Sequence, residues 1–461
     1  MSLVFRPQEG EEFLSKVDDV ETEAKRKSLE VVTPTAKQRS GVLEVIRSFV
    51  KEKQRKLYGG FAQHLLLKKK GLEGIYGAED YPDMDFFSPR AKRDAVELVH
   101  RLKGFSNVVA EEALHQNTLR IKVELEVFAD VTYLPGRFYD FLPVVRAEGY
   151  CCTSPEFMSL DAYLVYTRPL ENFFRLRKTY ERWNLLLQHF AHETTTPTGP
   201  PRAPARGRSV ADSPLFSSLA KSCVFVDAYA HNFFVREAGF PELQVEVDVL
   251  TVISTTWKET VAELSAQHGP PRFYRPFLGY VGRKAEFGGK AVVYAEKLHC
   301  VPYVPTERCR VASLQLTFLY LLAEKYKLLF DRSQGAEVTK RLRVVERMIS
   351  NLVVSKKAFY EKNPSLTPFT PSPFREYVVT CVGRTVSEAR RTFLLRSKRK
   401  KKRRPIVVRY SEGEDVTKFL ANVPLSNWVG QEKKGQREKN QKEVRRKKKK
   451  KNKVQRKKSS R

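Results

Sequence analysis

Apolar positions along the chain change period several times, and each change marks an element. From Ala36, the run AKQRSGVLEVIRSFVKEKQRKL places Val42, Val45, Ile46, Phe49 and Val50 at helical spacing, which predicts an amphipathic helix. KLYGGFAQ (56–63) then passes from a short apolar strand through two glycines into a second helical pattern, FAQHLLLKKK. DMDFF predicts a short strand, SPRAKRDAVELVHRLKG a helix with Pro89 near its start, and TLRIKVELEVFADVTYL one long strand. Residues 152–190 carry a helical pattern throughout. The order is that of an α/β (α+β) unit with a mixed sheet.

A second lobe repeats this character. The strands CVFVDAYA and LQVEVDVLTVIS are followed by the helices VASLQLTFLYLLAEKYKLLF and VTKRLRVVERMISNLVVSKKAFYEK. The expected organisation is a loose arm at 1–35, a first lobe at 36–191, a flexible linker at 192–214, a second lobe at 215–395 and a disordered tail at 396–461. The linker, HETTTPTGPPRAPARGRSVADSP, is rich in Pro, Thr, Gly and Arg and offers nothing to a core.

Charge sharpens the division. The 461 residues carry 84 Lys and Arg against 53 Asp and Glu, a net +31. From Arg396 onward 27 basic residues face 6 acidic ones, so +21 of that excess lies in the tail. Such a balance favours polyanionic partners, nucleic acid foremost. The 6 cysteines form no CxxC pair, which suggests unpaired thiols in a reducing compartment. MSLVFRPQEGEEF lacks the apolar centre of a signal peptide, and no apolar run reaches the ~18 residues of a membrane span. The expectation is a soluble protein that is not secreted.

The candidate chemistry lies in the first lobe. Gly59 and Gly60 stand where a strand turns into a helix, so they form either a bare tight turn or the floor of a phosphate site at a helix N-terminus. Asp83 and Asp85 alternate on a predicted strand and so share a face. Two such carboxylates suit Mg²⁺, although for a DxD taken alone a solvated strand end is the commoner explanation. In LRIKVELEVFADVTY, alternation puts Lys122, Glu124, Glu126, Phe128 and Asp130 on one face. Asp130 or Glu126 could then supply a third carboxylate, with Glu124 and Glu126 better explained as the solvent side. Glycine pair, DxD and a later strand acid together resemble the layout of polymerase-β-type nucleotidyltransferases.

The resemblance narrows further. KLYGGFAQ, IYGAEDYPDMDFFSP, AEEALHQNTLRIKV, DVTYLP and SPEFMSLDAYLVYTRPLENFFRLRKTYERW together resemble the catalytic poly(A) polymerase subunits of large nucleocytoplasmic DNA viruses. DAYAHNFF, FYRPFLGYVG and SPFREYVVTCVGRTVSEAR continue the likeness, which runs from about Lys56 to about Arg390. It implies a polymerase-β-like lobe followed by a degenerate, non-catalytic copy. It also implies template-independent addition of AMP from ATP to mRNA 3′ ends, with Mg²⁺ or Mn²⁺. By motif position, Gly59 and Gly60 would cradle the triphosphate, and Asp83, Asp85 and Asp130 would be the metal ligands. The implied partners are RNA and either a second copy or a viral processivity subunit. The implied location is the host cytoplasm at the viral factory, with the virion as a second place.

Other candidates weigh less. Lys178 and Arg182, with Arg175, sit at helical spacing near Tyr180, either for nucleotide contact or as a solvated face. Glu246 and Asp248 form an ExD with no glycine pair ahead of it. His64 and His115 fit structural roles. The basic tail could tether RNA, direct nuclear import or aid solubility, and tethering is preferred. The rival functions are a terminal transferase of other base specificity, such as a uridylyltransferase, and a non-catalytic RNA-binding scaffold.

Overall fold

The structure, a computed structural model, describes residues 6–32, 35–77, 80–113, 117–190, 213–295, 300–331, 335–376, 381–383 and 407–409. The predicted linker at 192–212, most of the tail and His115 lie outside the described residues. Packing divides the chain into two compact units, one of residues 1–49, 86–134 and 405–461, the other of 50–85 and 135–404.

The first lobe's elements run α1 (Pro7–Val32), α2 (Ala36–Glu52), β1 (Lys56–Leu57), α3 (Gly59–Lys69), β2 (Met84–Ser88), α4 (Ala91–Arg101), β3 (Val109–Glu112), β4 (Thr118–Val123), β5 (Glu126–Tyr133), α5 (Gly136–Phe141), β6 (Val144–Ala147), β7 (Tyr150–Thr153), α6 (Pro155–Tyr166), α7 (Pro169–Asn172) and α8 (Leu176–His189). The second lobe's run α9 (Pro214–Ser222), β8 (Cys223–Phe225), α10 (Asp227–Glu237), β9 (Leu250–Ser254), α11 (Trp257–His268), β10 (Arg272–Tyr274), β11 (Lys284–Phe287), β12 (Ala291–Ala295), β13 (Val301–Pro305), β14 (Arg310–Ala312), α12 (Leu314–Leu329), α13 (Ala336–Lys362) and β15 (Cys381–Val382). β16 (Val407–Arg409) follows in the tail.

In the first unit the strands lie in the order β16-β3-β4-β5-β2. Val42, Ile46 and Phe49 of α2, Leu98 and Val99 of α4 and Ile121, Phe128 and Val131 of the sheet are fully or nearly fully buried. The predicted loose arm is instead helical. Among the described side chains of α1 no apolar one is buried, Phe13 and Leu14 are exposed, and local ion pairs such as Arg26–Glu23 at 2.7 Å run along the helix.

The expected long strand at 118–134 is a hairpin. β4 and β5 pair antiparallel around a two-residue turn, Glu124-Leu125, with Glu124 at φ +54°. Val123 pairs with Glu126, so the two-residue turn shifts the alternation by one position, and a bulge between the Lys122–Val127 and Ile121–Ala129 pairs shifts it back. The two offsets cancel, so the sequence reads as one uninterrupted strand, and no Gly or Asn marks the bend. The acids of the hairpin are each matched by a donor: Asn107 donates to Glu124 at 2.7 Å, Arg39 to Glu126 at 2.8 Å and Arg120 to Asp130 at 2.8 and 2.7 Å. Val407–Arg409, expected to be disordered, pair antiparallel with β3. The reason lies in IVV, a β-branched island within the basic run that can add to an exposed sheet edge.

In the second unit β1 runs parallel to β7, and β6 and β7 form a hairpin turning at Glu148 and Gly149. Cys152 and Thr153, expected to open a helical stretch, thus belong to strand β7 (Tyr150–Thr153). The second lobe forms a sheet in the order β10-β11-β12-β9-β8-β14-β13-β15. α12 is buried over most of its length, and Tyr326 on it packs edge-on to Phe157 of α6 at 4.9 Å. LQVEVDVLTVIS is strand only from Leu250 onward, so Glu246 and Asp248 lie in an irregular, exposed stretch. Cys300 and Cys381, expected as thiols, form a disulfide that joins the ends of β13 and β15. Cys151, Cys152, Cys223 and Cys309 are free and buried.

Candidate active site

The glycine pair is built by backbone geometry. Leu57 is fully buried and pins β1, and Tyr58 continues extended, its N–H donating to the Asp85 carbonyl at 2.9 Å. Gly59 then takes φ +72° and opens α3, a conformation that L side chains adopt only at a cost. Tyr58 at the N-cap makes no side-chain cap hydrogen bond, and the N-terminal end of α3 carries the positive end of the helix dipole beside Asp85.

Space matters as much as torsion. A Cβ on Gly59 would lie 2.4 Å from Asp85 Oδ2, and one on Gly60 would lie 2.2 Å from Tyr76 Oη and 2.5 Å from Arg182 Nη1. Both glycines are therefore required by close approach of functional groups. Asp83 is exposed just ahead of β2, Met84 is buried, and Asp85 is half-buried, so the two carboxylates alternate as the sequence predicted. Two anionic groups thus stand near a helix N-terminus and a guanidinium.

Arg182, on α8, is half-buried and lies against Gly60 and over the Tyr76 ring at 5.3 Å. Lys178, one turn earlier, is exposed. Tyr76 had no signature in the sequence beyond its place in IYGAEDYP. Burial pushes its hydroxyl above the ordinary tyrosine range, with Arg182 opposing the shift and Asp83 and Asp85 adding to it. All four groups therefore share one electrostatic neighbourhood. His64 acts structurally, as expected: its Nδ1 accepts the Tyr76 N–H at 3.2 Å, and a Cβ on Gly74 would meet that nitrogen at 2.1 Å.

Asp130 belongs to the first unit. It is nearly buried, and both of its oxygens are held by Arg120 across the β4–β5 pair. Asp83 and Asp85 are hard oxygen donors of the kind Mg²⁺ takes. Among the described residues no group of three or more His, Cys, Asp or Glu side chains is placed to hold a metal ion. The first two acids therefore fit a divalent cation, and the third is occupied by an arginine.

Comparison with known proteins agrees along most of the chain. The profile for the poly(A) polymerase catalytic subunit matches residues 44–172, and one for the C-terminal part of the APMV poly(A) polymerase catalytic subunit matches 221–424. Two similar proteins bear the name "Putative poly(A) polymerase catalytic subunit". That of Acanthamoeba polyphaga mimivirus is 24% identical over 436 residues, covering 81% of this chain and 72% of its own. That of African swine fever virus (isolate Pig/Kenya/KEN-50/1950) is 33% identical over 156 residues, covering 32% of this chain and 33% of its own. The Megavirus polyadenylate synthase crystal structure shares the fold, with TM-score 0.72 and 24% identity over 93% of this chain and 89% of that one. No helix among the described residues is long and apolar enough to cross a membrane.

Proposed function

We propose, for a chain that belongs to the family of poly(A) polymerase catalytic subunits, that AMP is transferred from ATP to RNA 3′ ends at the Gly59–Asp85 site. The observation that carries this placement is the close approach at Gly59 and Gly60, whose missing Cβ atoms let Asp85, Tyr76 and Arg182 come up against the start of α3.

The chain's own groups suggest the division of labour. The uncapped N–H groups of α3 receive triphosphate oxygens, with the absent Cβ atoms letting the phosphates reach the backbone. Arg182 offers a fork of donors to the same phosphates, held in place by the Tyr76 ring. Asp83 and Asp85 would hold a divalent cation, Mg²⁺ or Mn²⁺, which when bound lowers the pKa of the attacking hydroxyl and neutralises phosphate charge. Asp130 joins them as a third ligand on family resemblance, and Arg120 is the group it would have to share. Lys178 stands one helical turn from Arg182 as a second cation toward the nucleotide. Catalysis on this scheme is positioning plus charge stabilisation.

RNA would be held beyond the site by the basic tail, whose phosphate contacts weaken steeply with salt. Association with a second copy or a processivity partner, and a place in the host cytoplasm, rest on the family resemblance alone. The test is incubation of the pure protein with an RNA primer, Mg²⁺ and each nucleoside triphosphate separately. Extension with ATP alone is expected, and extension with UTP alone would overturn the choice of substrate.

A further inference from the structure

α8 presents two opposite faces to two different places. Arg182 points toward Gly60. Tyr180, Trp183, Asn184 and Leu187 follow one another at i, i+3, i+4 and i+7, which puts them on one stripe centred on the far side of the helix from Arg182. That stripe walls a cavity of about 140 Å³ whose other sides come from α6, α12 and α13. One water takes roughly 30 Å³, while a cleft for a whole drug-sized ligand or cofactor is about 300–1,000 Å³. The volume thus suits one ring system and not a nucleoside triphosphate.

The lining is of a particular kind. Tyr163, Tyr166, Tyr180, Trp183 and Phe318 supply five aromatic rings around the space. Tyr163 is stacked on Phe318 with centroids 5.3 Å apart and meets Trp183 edge-on at 6.1 Å. Two carboxamides, Asn184 and the nearly buried Gln315, line the same cavity and carry both donors and acceptors. Tyr180 is 42% exposed, which leaves an aromatic face at the mouth. The Lys356–Glu376 ion pair also borders the cavity. Flat aromatic faces for stacking, with amide groups for the edge, are the combination that recognises an unstacked nucleobase of single-stranded nucleic acid.

We infer that this cavity between α6, α8, α12 and α13 is a subsite for one base of the RNA strand, distinct from the site at Gly59 and walled by the same helix that carries Arg182. The inference rests on RNA being the substrate. A base seated there clamps the strand to the second unit, so the subsite acts on primer affinity and leaves the chemical step alone.

The test uses the full chain, an oligoadenylate and an abasic ribose-phosphate oligomer of equal length, with binding read from Trp183 emission and from filter retention. Tyr180→Ala and Asn184→Ala alter exposed positions, and a thermal melt verifies folding. The expected result is a loss of oligoadenylate affinity of roughly tenfold for Tyr180→Ala, the scale of one lost stacking contact. The abasic oligomer should bind unchanged, primer KM should rise, and kcat should stay level. Quenching of Trp183 by oligoadenylate should vanish in Trp183→Phe. Unchanged oligoadenylate binding, or equal losses for both oligomers, would overturn the inference. A protein that binds through the cavity yet extends no primer with any nucleotide would sink the polymerase assignment and leave the subsite standing.

Discussion

The turn at Gly59 and the turn at Asp227 are the same construction with opposite chemistry. In each a short strand ends in one extended residue whose N–H donates to the neighbouring strand: Tyr58 to the Asp85 carbonyl and Val226 to the Thr251 carbonyl, both at 2.9 Å. In each the next residue has positive φ, +72° at Gly59 and +60° at Asp227, and opens a helix. Residue by residue, GGFAQHLLL of α3 then overlies DAYAHNFFV of α10. His64 and Asn232 fall at the same step, and both tether the loop ahead of the neighbouring strand, His64 at Tyr76 and Asn232 at Val245. The strand orders repeat as well, β3-β4-β5-β2 in the first unit against β10-β11-β12-β9, and β1-β7-β6 against β8-β14-β13.

What differs is where the charges sit. In the first lobe the strand carries the carboxylate, Asp85, and the turn is empty. In the second the strand offers Thr251, while the turn carries a carboxylate, Asp227, that Arg341 of α13 fills from the other side. A site that must admit phosphates keeps its turn bare and its anion on the strand. A turn that carries its own carboxylate, paired with Arg341, meets an incoming phosphate with a negative charge in place of bare backbone. The construction alone therefore does not make an enzyme.

Six substitutions and one change of pH sharpen the comparison. Asp85→Asn, and separately Asp83→Asn, should cut ATP-dependent primer extension by about 10³-fold with the circular dichroism spectrum unchanged, because charge stabilisation is lost at a preorganised site.

The second lobe should instead show itself in pH dependence. Burial depresses the His231 imidazole to about 4, with the Asn232 contact opposing. Its unfolded form titrates near 6.5. The unfolded chain thus binds the extra proton first as pH falls, so stability is full above about 6.5 and drains away toward 4. The total is on the order of 3 kcal/mol. Melting temperatures measured between pH 7 and 4 should fall more steeply for the native chain than for His231→Gln.

Both turns should lose stability when altered, but only the first should lose activity. Gly59→Ala introduces both the left-handed strain and a clash with Asp85 Oδ2, and should lower the melting point by the equivalent of about 1–3 kcal/mol while abolishing extension. Asp227→Gly relieves strain but leaves Arg341, about a third exposed, without its carboxylate. A net loss of about 1 kcal/mol with kcat preserved is expected, and loss of extension would contradict the closed state of that turn. Smallest of all, Lys178→Ala at an exposed position should raise the KM for ATP by no more than about threefold, well under 1 kcal/mol.

The candidate site was legible where chemistry and local backbone coincide. Gly59, Gly60, Asp83 and Asp85 are set by a strand-to-helix turn and by strand alternation, both local properties that a sequence displays. Arg182 could be placed on a helix face, but its arrival at Gly60 depends on how α8 packs on α3. Tyr76 was invisible because nothing local distinguishes it from the other tyrosines of the chain. Asp130 was singled out from an alternation that turned out to be two strands. Its residue type was informative, and its engagement with Arg120 appeared only once the hairpin closed.

The sequence by itself determined the repeated α/β character, the basic tail, the glycine turn and the acidic pair, since period, charge and Cβ-free positions are written residue by residue. Only the tertiary structure decided that 118–134 folds back on itself, that Val407–Arg409 add to β3, that Arg341 closes the second turn and that five aromatic rings surround one cavity. Each of these is a meeting of side chains or strands far apart in the chain. Such meetings are fixed by packing, which no local pattern encodes.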